Sequence, residues 1–533
     1  MLNLGRFITR SASYWPGREA LVCEGRRWTF AQLEARSNQL ASALLGLGLR
    51  SGDAVGTFAA NRAELVEAEI AFYKAGFLRV PINARLGGGE TRHILVDADV
   101  RLLLTDAAHA EQAAEAIRAC GRDIPLVVFD DAAPVGSETN AAPVGRETYA
   151  DLLVKGSEDP VAVDVDPGHP CVLHFTSGST GKLKAAVQTT GNRLANMRKR
   201  LMSPENSTED SAETPGRYLV AGPITHASGM GVLAQLSRGN AIVVLPSFHP
   251  AGFLDTVAKE RVTSTFLVPT MLNMVLAHPA APTVDLSSLT CVRIGGAPVS
   301  PQRLRDAVEL FGPIVMQGYG QAETTSGITI LTPGDVVRGL DGDPDILLSC
   351  GRAVFDTEIR IVDEEMNPVP AGTKGELIVR GPDCVTSYWN EPELSAETFK
   401  NGWVLTGDIA YLREDGYLFI VDRKKDMIIS GGFNIYCSEV EAALYEHPAV
   451  GEACVVGVPD EKWGEAVKAV VVPKADAAID PAALIDFCAE RLDRFKKPRT
   501  VDVVDALPVN RNGKIDRKAV RAPYWADSAR AVN

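Results

Sequence analysis

The segment of this chain richest in groups that could do chemistry runs Phe175-Thr-Ser-Gly-Ser-Thr-Gly-Lys182-Leu-Lys184. The apolar run Cys171 to Phe175 precedes it, so a strand is expected to feed directly into a loop of small and hydroxylated residues. Successive backbone N–H groups in such a loop form a nest for phosphate oxygens. Thr176, Ser177, Ser179 and Thr180 add hydroxyl donors around Gly178 and Gly181, and Lys182 and Lys184 add positive charge. By itself a Gly/Ser/Thr loop is an ordinary flexible connection.

Spacing excludes two well-defined alternatives. A Walker loop ending at Gly181-Lys182 needs a glycine where Thr176 stands, and a magnesium-binding Ser or Thr where Leu183 stands. A G-x-S-x-G nucleophile elbow fails because Ser177 occupies the first glycine position. What remains is a phosphate-binding composition without Walker spacing.

The elements that must position this loop alternate in type. Thr29 and Gln32 form a capping box before a helix carrying Leu33, Leu40 and Leu44, with Gly46 and Gly48 at its end. Asn61 and Glu64 are expected to open another helix that stops at Gly76. Leu126 to Phe129, Ala241 to Leu245 and Thr265 to Val268 are short apolar runs of buried strand type. Strands alternating with helices imply an α/β architecture with largely parallel sheets. Asp130 to Thr148, which contains a short tandem echo of Ala-Ala-Pro-Val-Gly, and Ser203 to Gly216 are polar and loop-like.

A chain of 533 residues exceeds what a single core supports, so at least two domains are expected. The boundary is expected after Lys424, giving domains 1–424 and 425–533. The charged pentad Asp422-Arg423-Lys424-Lys425-Asp426 reads as a linker or hinge or, equally, as an ordinary polar turn, and it is followed by Gly431-Gly432, a helix near Ser438 to Glu446 and strands near 450–458 and 466–472. The net charge of −14 argues against non-specific nucleic-acid or membrane-surface binding, so an anionic ligand must be held by local donors. No stretch approaches the roughly 18 apolar residues of a membrane span, and Met1 to Trp15 lacks a signal-peptide pattern. The nine cysteines are scattered with no CxxC, which points away from disulfides and zinc and towards a reducing cytoplasm.

Segment by segment, the chain resembles the adenylate-forming superfamily of acyl-CoA synthetases, luciferases and peptide-synthetase adenylation domains. The resemblance is carried by the Gly181 loop, Lys74-Ala-Gly76 with Val80-Pro-Ile-Asn83, Thr225-His226, Gly295-Gly-Ala-Pro298 and Gln317-Gly-Tyr-Gly-Gln-Ala-Glu323. Gly375-Glu-Leu377, Tyr388-Trp389, Thr406-Gly-Asp408, Asp422-Arg423, Ser430-Gly-Gly432 and Asn512-Gly-Lys514 continue it in order. The resemblance implies an ATP-dependent acid–CoA ligase. Such an enzyme joins a carboxylic acid to AMP, with ATP and Mg2+, and then passes the acyl group to CoA. The implied architecture is a large N-terminal domain with mixed and parallel sheets and a small mobile α+β C-terminal domain.

The same resemblance assigns residues. Thr176 through Lys182 would hold phosphates. Gly295, Gly296, Ala297 and Pro298 would line the adenine, since a flat base lies against backbone only where no side chain intervenes. Gln317, Gly318, Tyr319, Gly320 and Gln321 would complete the nucleotide site, with Tyr319 as the aromatic face. Asp408 and Arg423 would take the ribose, and Glu323 a magnesium ion, because a hard cation prefers carboxylate oxygen. Lys514, at the tip of a turn in the small domain, would neutralise the charge that builds as a carboxylate attacks the α-phosphate. Lys425 would be the hinge, Gly431 and Gly432 the CoA contact, and His226 the gate to an acyl pocket containing Gly229, Met230 and Gly320.

Several positions depart from the family pattern. Leu183 and Ala185 replace a proline and a glycine, Ala322 replaces a threonine, and Cys437 stands where proline is common. His226 occupies the position of the aspartate that pairs with an amino-acid substrate, which would leave a substrate ammonium without a partner. Small residues Ser228, Gly229 and Gly231 beside Met230 suggest room for a bulky or medium/long apolar acid. Transfer to another protein or enzyme in place of CoA stays open, and so does a catalytically silent scaffold. The oligomeric state is not fixed, and a homodimer is allowed.

Overall fold

The computed structural model describes residues 2–129, 148–177, 183–203, 215–325, 327–474, 477–509 and 515–526. The α/β class is as expected. Two compact units divide the chain: Met1–Ile359 with Val379–Leu405, and Arg360–Ile378 with Thr406–Asn533.

The first unit holds two large sheets. A six-stranded sheet runs in the order Leu126–Val128, Leu102–Thr105, Ala54–Ala59, Leu78–Asn83, Pro170–Ser177 and Leu183–Thr189. It is parallel until its last pair, which is antiparallel with Ser177 opposite Leu183. A nine-stranded sheet has a parallel centre of Val315–Gly320, Cys291–Gly295, Ser264–Leu267, Arg217–Val220, Ala241–Val244 and Glu19–Cys23. Ala241–Val244 and Leu102–Thr105 are near-continuous apolar runs buried along their whole length, as burial on both faces requires.

The capping box at Thr29 forms as read, with Gln32 N–H donating to Thr29 Oγ1 and Thr29 N–H to Gln32 Oε1. The helix expected from Asn61 begins instead at Ala63, and its cap, Arg62, makes no side-chain capping bond. Asn61 is diverted: its amide donates to the carbonyls of Gly222 and Leu245 and its oxygen accepts from Ile224 N–H. A long-range network therefore outcompetes the local cap. Gly76 closes the same helix in the left-handed region, at φ 71°.

The strand Trp403–Leu412 enters the second unit at Thr406, and there its Asp408–Leu412 stretch pairs antiparallel with Leu418–Arg423, which sets Asp408 opposite Arg423. The charged pentad ends in a single 3-10 turn, Lys424–Asp426. Beyond it, Phe433–Ile435, Ile428–Ser430, Gly464–Pro473 and Val450–Asp460 form a sheet, with Thr500–Val503 joining Gly464–Pro473. The helices Cys437–Tyr445 and Pro481–Ala489 and a core centred on Val440, Val455, Val471 and Leu484 complete it. Among the described residues no helix is long and apolar enough to cross a membrane, and all nine cysteines are free.

Candidate active site

The strands Cys291–Gly295 and Val315–Gly320 run parallel, with Gly295 opposite Gly318, and the Gly295–Pro298 turn leaves from a carboxyl end. Open α/β sheets hold their ligands at such ends. A Cβ on Gly295 would lie 2.9 Å from the Gly318 carbonyl oxygen and 3.2 Å from the Phe266 ring. Gly296 has φ +84°, which disfavours any other residue. The turn is thus bare backbone by necessity, a surface that suits a flat base. On the neighbouring strand Gln321 Nε2 donates to Tyr319 Oη across 3.2 Å, which ties the aromatic ring to the following turn.

That turn is the 3-10 segment Ala322–Thr324, and it presents Glu323. Glu323 Oε1 accepts from the Tyr388 hydroxyl at 2.6 Å and lies 3.3 Å from Lys184 Nζ. Lys184 also stands 3.9 Å over the Tyr388 ring and bonds its hydroxyl. Burial, and then the adjacent Glu323 charge, push the Tyr388 phenol well above its ordinary range, so it remains a donor. Among the described residues no group of three or more His, Cys, Asp or Glu side chains could cage a metal. A single carboxylate suffices for a magnesium ion held mainly by phosphate oxygens, and Glu323 fits that part.

His226 caps the 3-10 helix Ala227–Gly231. Its Nδ1 lies 2.9 Å from Thr225 Oγ1, and its ring meets His174 edge-on at 5.7 Å between centroids. Burial, and then Arg85, lower the His226 basicity. Burial, with His226, Arg193 and Arg79 adding in that order, pushes His174 down to about 3. Both imidazoles are neutral at physiological pH. Met230 Sδ accepts from Arg193 Nη1 at 3.1 Å, and the buried Arg193 is anchored on Glu69 and Tyr73. Gly229 owes its identity to the backbone: a Cβ there would sit 1.8 Å from the Ile224 carbonyl oxygen. Gly320 is exposed at the end of its strand.

In the second unit Arg423 Nε lies 2.5 Å from Asp408 Oδ1, and Asp408 is only 1% exposed. The neighbouring Lys424 pairs with Glu376 at 2.8 Å. Lys425 is exposed within the 3-10 turn. Gly431 and Gly432 form the two-residue loop of a hairpin, with φ +59° and +83°, the left-handed pair that such a tight turn needs. A Cβ on Gly431 would also fall 2.5 Å from the Trp463 ring. Cys437, in place of a proline, donates its thiol to the Asp426 carbonyl.

Arg517 is a functional candidate that pattern reading passed over. Its guanidinium lies 2.6 Å from Glu441, 3.4 Å from Asp426 and 3.7 Å from Asp422, tying both ends of the pentad to one helix. His174 and Arg193 were missed as well, since one sits in an apolar strand and the other in a basic helix. Thr176 and Ser177 are the last residues of their strand, whereas Gly178, Ser179, Thr180, Gly181, Lys182 and Lys514 lie outside the described residues.

The AMP-binding enzyme family matches residues 8–389, and the AMP-binding enzyme C-terminal domain matches residues 439–514. A feruloyl-CoA synthase of an Amycolatopsis species is 37% identical over 98% of this chain and 99% of that protein. A medium/long-chain-fatty-acid–CoA ligase of Mycobacterium tuberculosis is 37% identical over 99% of this chain and 91% of that one. The o-succinylbenzoate CoA synthetase of Bacillus subtilis, solved with its acyl-adenylate intermediate, superposes with a TM-score of 0.81. It shares 30% identity and covers 96% of this chain and 97% of its own.

The chain belongs to the AMP-binding enzyme family, within the adenylate-forming superfamily of acyl-CoA synthetases. It is an acid–thiol ligase of the AMP-forming type, with ATP, Mg2+ and CoA as its cofactor and co-substrates.

Proposed function

We propose that this enzyme activates a bulky or medium/long apolar carboxylic acid and transfers it to CoA in two half-reactions on one nucleotide site. In the first, a carboxylate oxygen attacks the α-phosphorus of ATP, the bond to the β-phosphate bridging oxygen breaks, and pyrophosphate leaves. In the second, the CoA thiol loses its proton, its sulfur bonds to the acyl carbon, and AMP departs with the carboxylate-derived oxygen. The match of both family models, over residues 8–389 and 439–514, carries this reading, and relatives named for feruloyl and fatty-acyl substrates support the acid class.

Residues take the following parts in this reading. Thr176 to Lys182 hold phosphates, Gly295 to Pro298 and Tyr319 enclose adenine, and Asp408 with Arg423 takes the ribose hydroxyls. Glu323 holds magnesium, which neutralises phosphate charge when bound. Lys514 bridges the attacking carboxylate and the α-phosphate. Residues 425–533 then swing about Lys425, withdrawing Lys514 and bringing Gly431 and Gly432 to the CoA path. His226, neutral and edge-on to His174, gates the acyl pocket beside Gly229, Met230 and Gly320. The free cysteines suit a reducing cytoplasm, and a homodimer is compatible with these roles.

A panel of carboxylic acids assayed for pyrophosphate release, with and without CoA, tests the proposal. Acid-dependent release that rises on adding CoA is expected. Release from α-amino acids alone would move the enzyme to a different branch, because His226 offers no carboxylate to a substrate ammonium.

A further inference from the structure

The turn that presents Glu323 is fastened at both ends. At its start Gln321 N–H donates to Thr324 Oγ1 at 3.1 Å, and Thr324 Oγ1 donates to the Gln321 carbonyl at 3.0 Å. At its end stands Thr325, a buried β-branched residue in the left-handed region at φ +56°. A residue of that type keeps such a backbone only where its surroundings hold it, and strain of this kind gathers where geometry is functional. The Thr325 hydroxyl donates to the Asp383 carbonyl at 2.6 Å. Two residues further along, Val385 N–H donates to the Glu323 carbonyl at 2.9 Å.

Segment 381–389, which supplies both of these bonds, is itself pinned from two sides. From the helix Thr190–Leu201, the Asn192 amide donates to the Pro382 and Cys384 carbonyls. Seven residues on, along the same helix face, Lys199 Nζ lies 2.5 Å from Oδ1 of the buried Asp383 and 2.6 Å from Thr357 Oγ1. From the strand Leu183–Thr189, Val187 N–H donates to the Ser387 carbonyl, and Trp389 N–H returns a bond to the Ala185 carbonyl. The same segment sets the Tyr388 hydroxyl on the Glu323 carboxylate. Backbone and side chain of Glu323 are therefore both fixed by one stretch of chain.

We propose that Thr325 is a positioning residue for magnesium: its hydroxyl, tied to Asp383 and through it to Lys199, fixes the backbone of the Glu323 turn so that the carboxylate is presented to the cation. The proposal rests on the reading of Glu323 as the magnesium carboxylate and goes beyond it by naming what aims that carboxylate. Tyr388 restrains the carboxylate oxygen, whereas Thr325 restrains the peptide from which the side chain leaves, so the two act separately. Magnesium tolerates little departure from its preferred ligand geometry, and a turn free to rotate would lose it.

The test is calorimetric titration of the intact enzyme with a non-hydrolysable ATP analogue, in Mg2+ and again in excess EDTA. Thr325→Val keeps the shape and the branching at Cβ but not the donor. It is expected to weaken analogue binding about tenfold in Mg2+ and to leave binding in EDTA unchanged. Thr325→Ser keeps the donor and is expected to bind as the wild type does. If Thr325→Val does not fold, Thr325→Gly takes its place, since glycine relieves the strain at φ +56° while removing the tether. The same loss in EDTA as in Mg2+ would overturn the proposal, as would a loss in Thr325→Ser as large as that in Thr325→Val. Wild-type Mg2+ dependence in Thr325→Val, beside a Glu323→Gln control that has lost it, would overturn the proposal alone. Wild-type Mg2+ dependence in Glu323→Gln would overturn the magnesium reading of Glu323, and this proposal with it.

Discussion

The Tyr388 hydroxyl donates to Glu323 Oε1 across 2.6 Å, while Lys184 Nζ approaches the same oxygen at 3.3 Å and caps the tyrosine ring. A lysine from the end of the phosphate loop, the candidate metal carboxylate and the tyrosine of the Tyr388-Trp389 segment therefore form one cluster. Tyr388→Phe keeps the ring and removes one hydrogen bond to a charged group, an interaction worth roughly 1.5–3 kcal/mol. The Mg2+ concentration for half-maximal pyrophosphate release is expected to rise about tenfold, with little change in the thermal midpoint. An unaltered Mg2+ dependence would show that Tyr388 does not orient Glu323.

Lys514→Ala is expected to lower adenylation by at least about a thousandfold, or about 4 kcal/mol. CoA transfer from a supplied acyl-adenylate should survive, because the proposed role of the lysine is confined to the first half-reaction. Rapid-quench assays of each half-reaction separate the two, and an equal fall in both would contradict the swing about Lys425.

Arg517 holds Glu441, Asp426 and Asp422 together, and burial pushes the Glu441 and Asp422 carboxyls up. Removing one partner of a buried charged group typically costs about 3–5 kcal/mol. Arg517→Met should destabilise the second unit by that order in chemical denaturation followed by Trp463 and Trp525 fluorescence. A loss below about 1 kcal/mol would mean the three carboxylates are adequately solvated without it.

His174 is pushed down to about 3 in the folded chain from an ordinary 6.5. Between those values the unfolded chain binds a proton that the folded chain does not. The stability it contributes is therefore complete above pH 6.5 and declines as pH falls, by up to about 1.4 kcal/mol per pH unit. His226, also lowered, acts in the same direction. Thermal midpoints measured downwards from pH 6.5 should fall less steeply for His174→Gln than for the wild type, and parallel slopes would exclude His174 as the source.

Legibility in the sequence followed the range of the interactions. The capping box at Thr29 and Gln32 and the left-handed stop at Gly76 are local, and both form as read. Asn61 failed as a cap because its partners, Gly222, Ile224 and Leu245, are more than 160 residues away. Gly295 and Gly431 could be singled out by position, but the Gly318 carbonyl and the Trp463 ring that demand a glycine appear only after folding. His174 gave no signal, since a histidine within Cys171 to Phe175 looks like a core residue until His226 is brought edge-on to it. Arg517, three residues beyond Lys514, gives no local signal either, because Asp422, Asp426 and Glu441 meet it only on folding.

The most direct measurement is the mass of the product formed from ATP, Mg2+, CoA and an accepted acid. Acyl-CoA, AMP and pyrophosphate are expected in equal amounts, with the acyl group retained as acyl-adenylate when CoA is left out. Pyrophosphate release that yields no acyl-CoA, with the acyl group still on AMP in the presence of CoA, would contradict the assignment of CoA as acceptor.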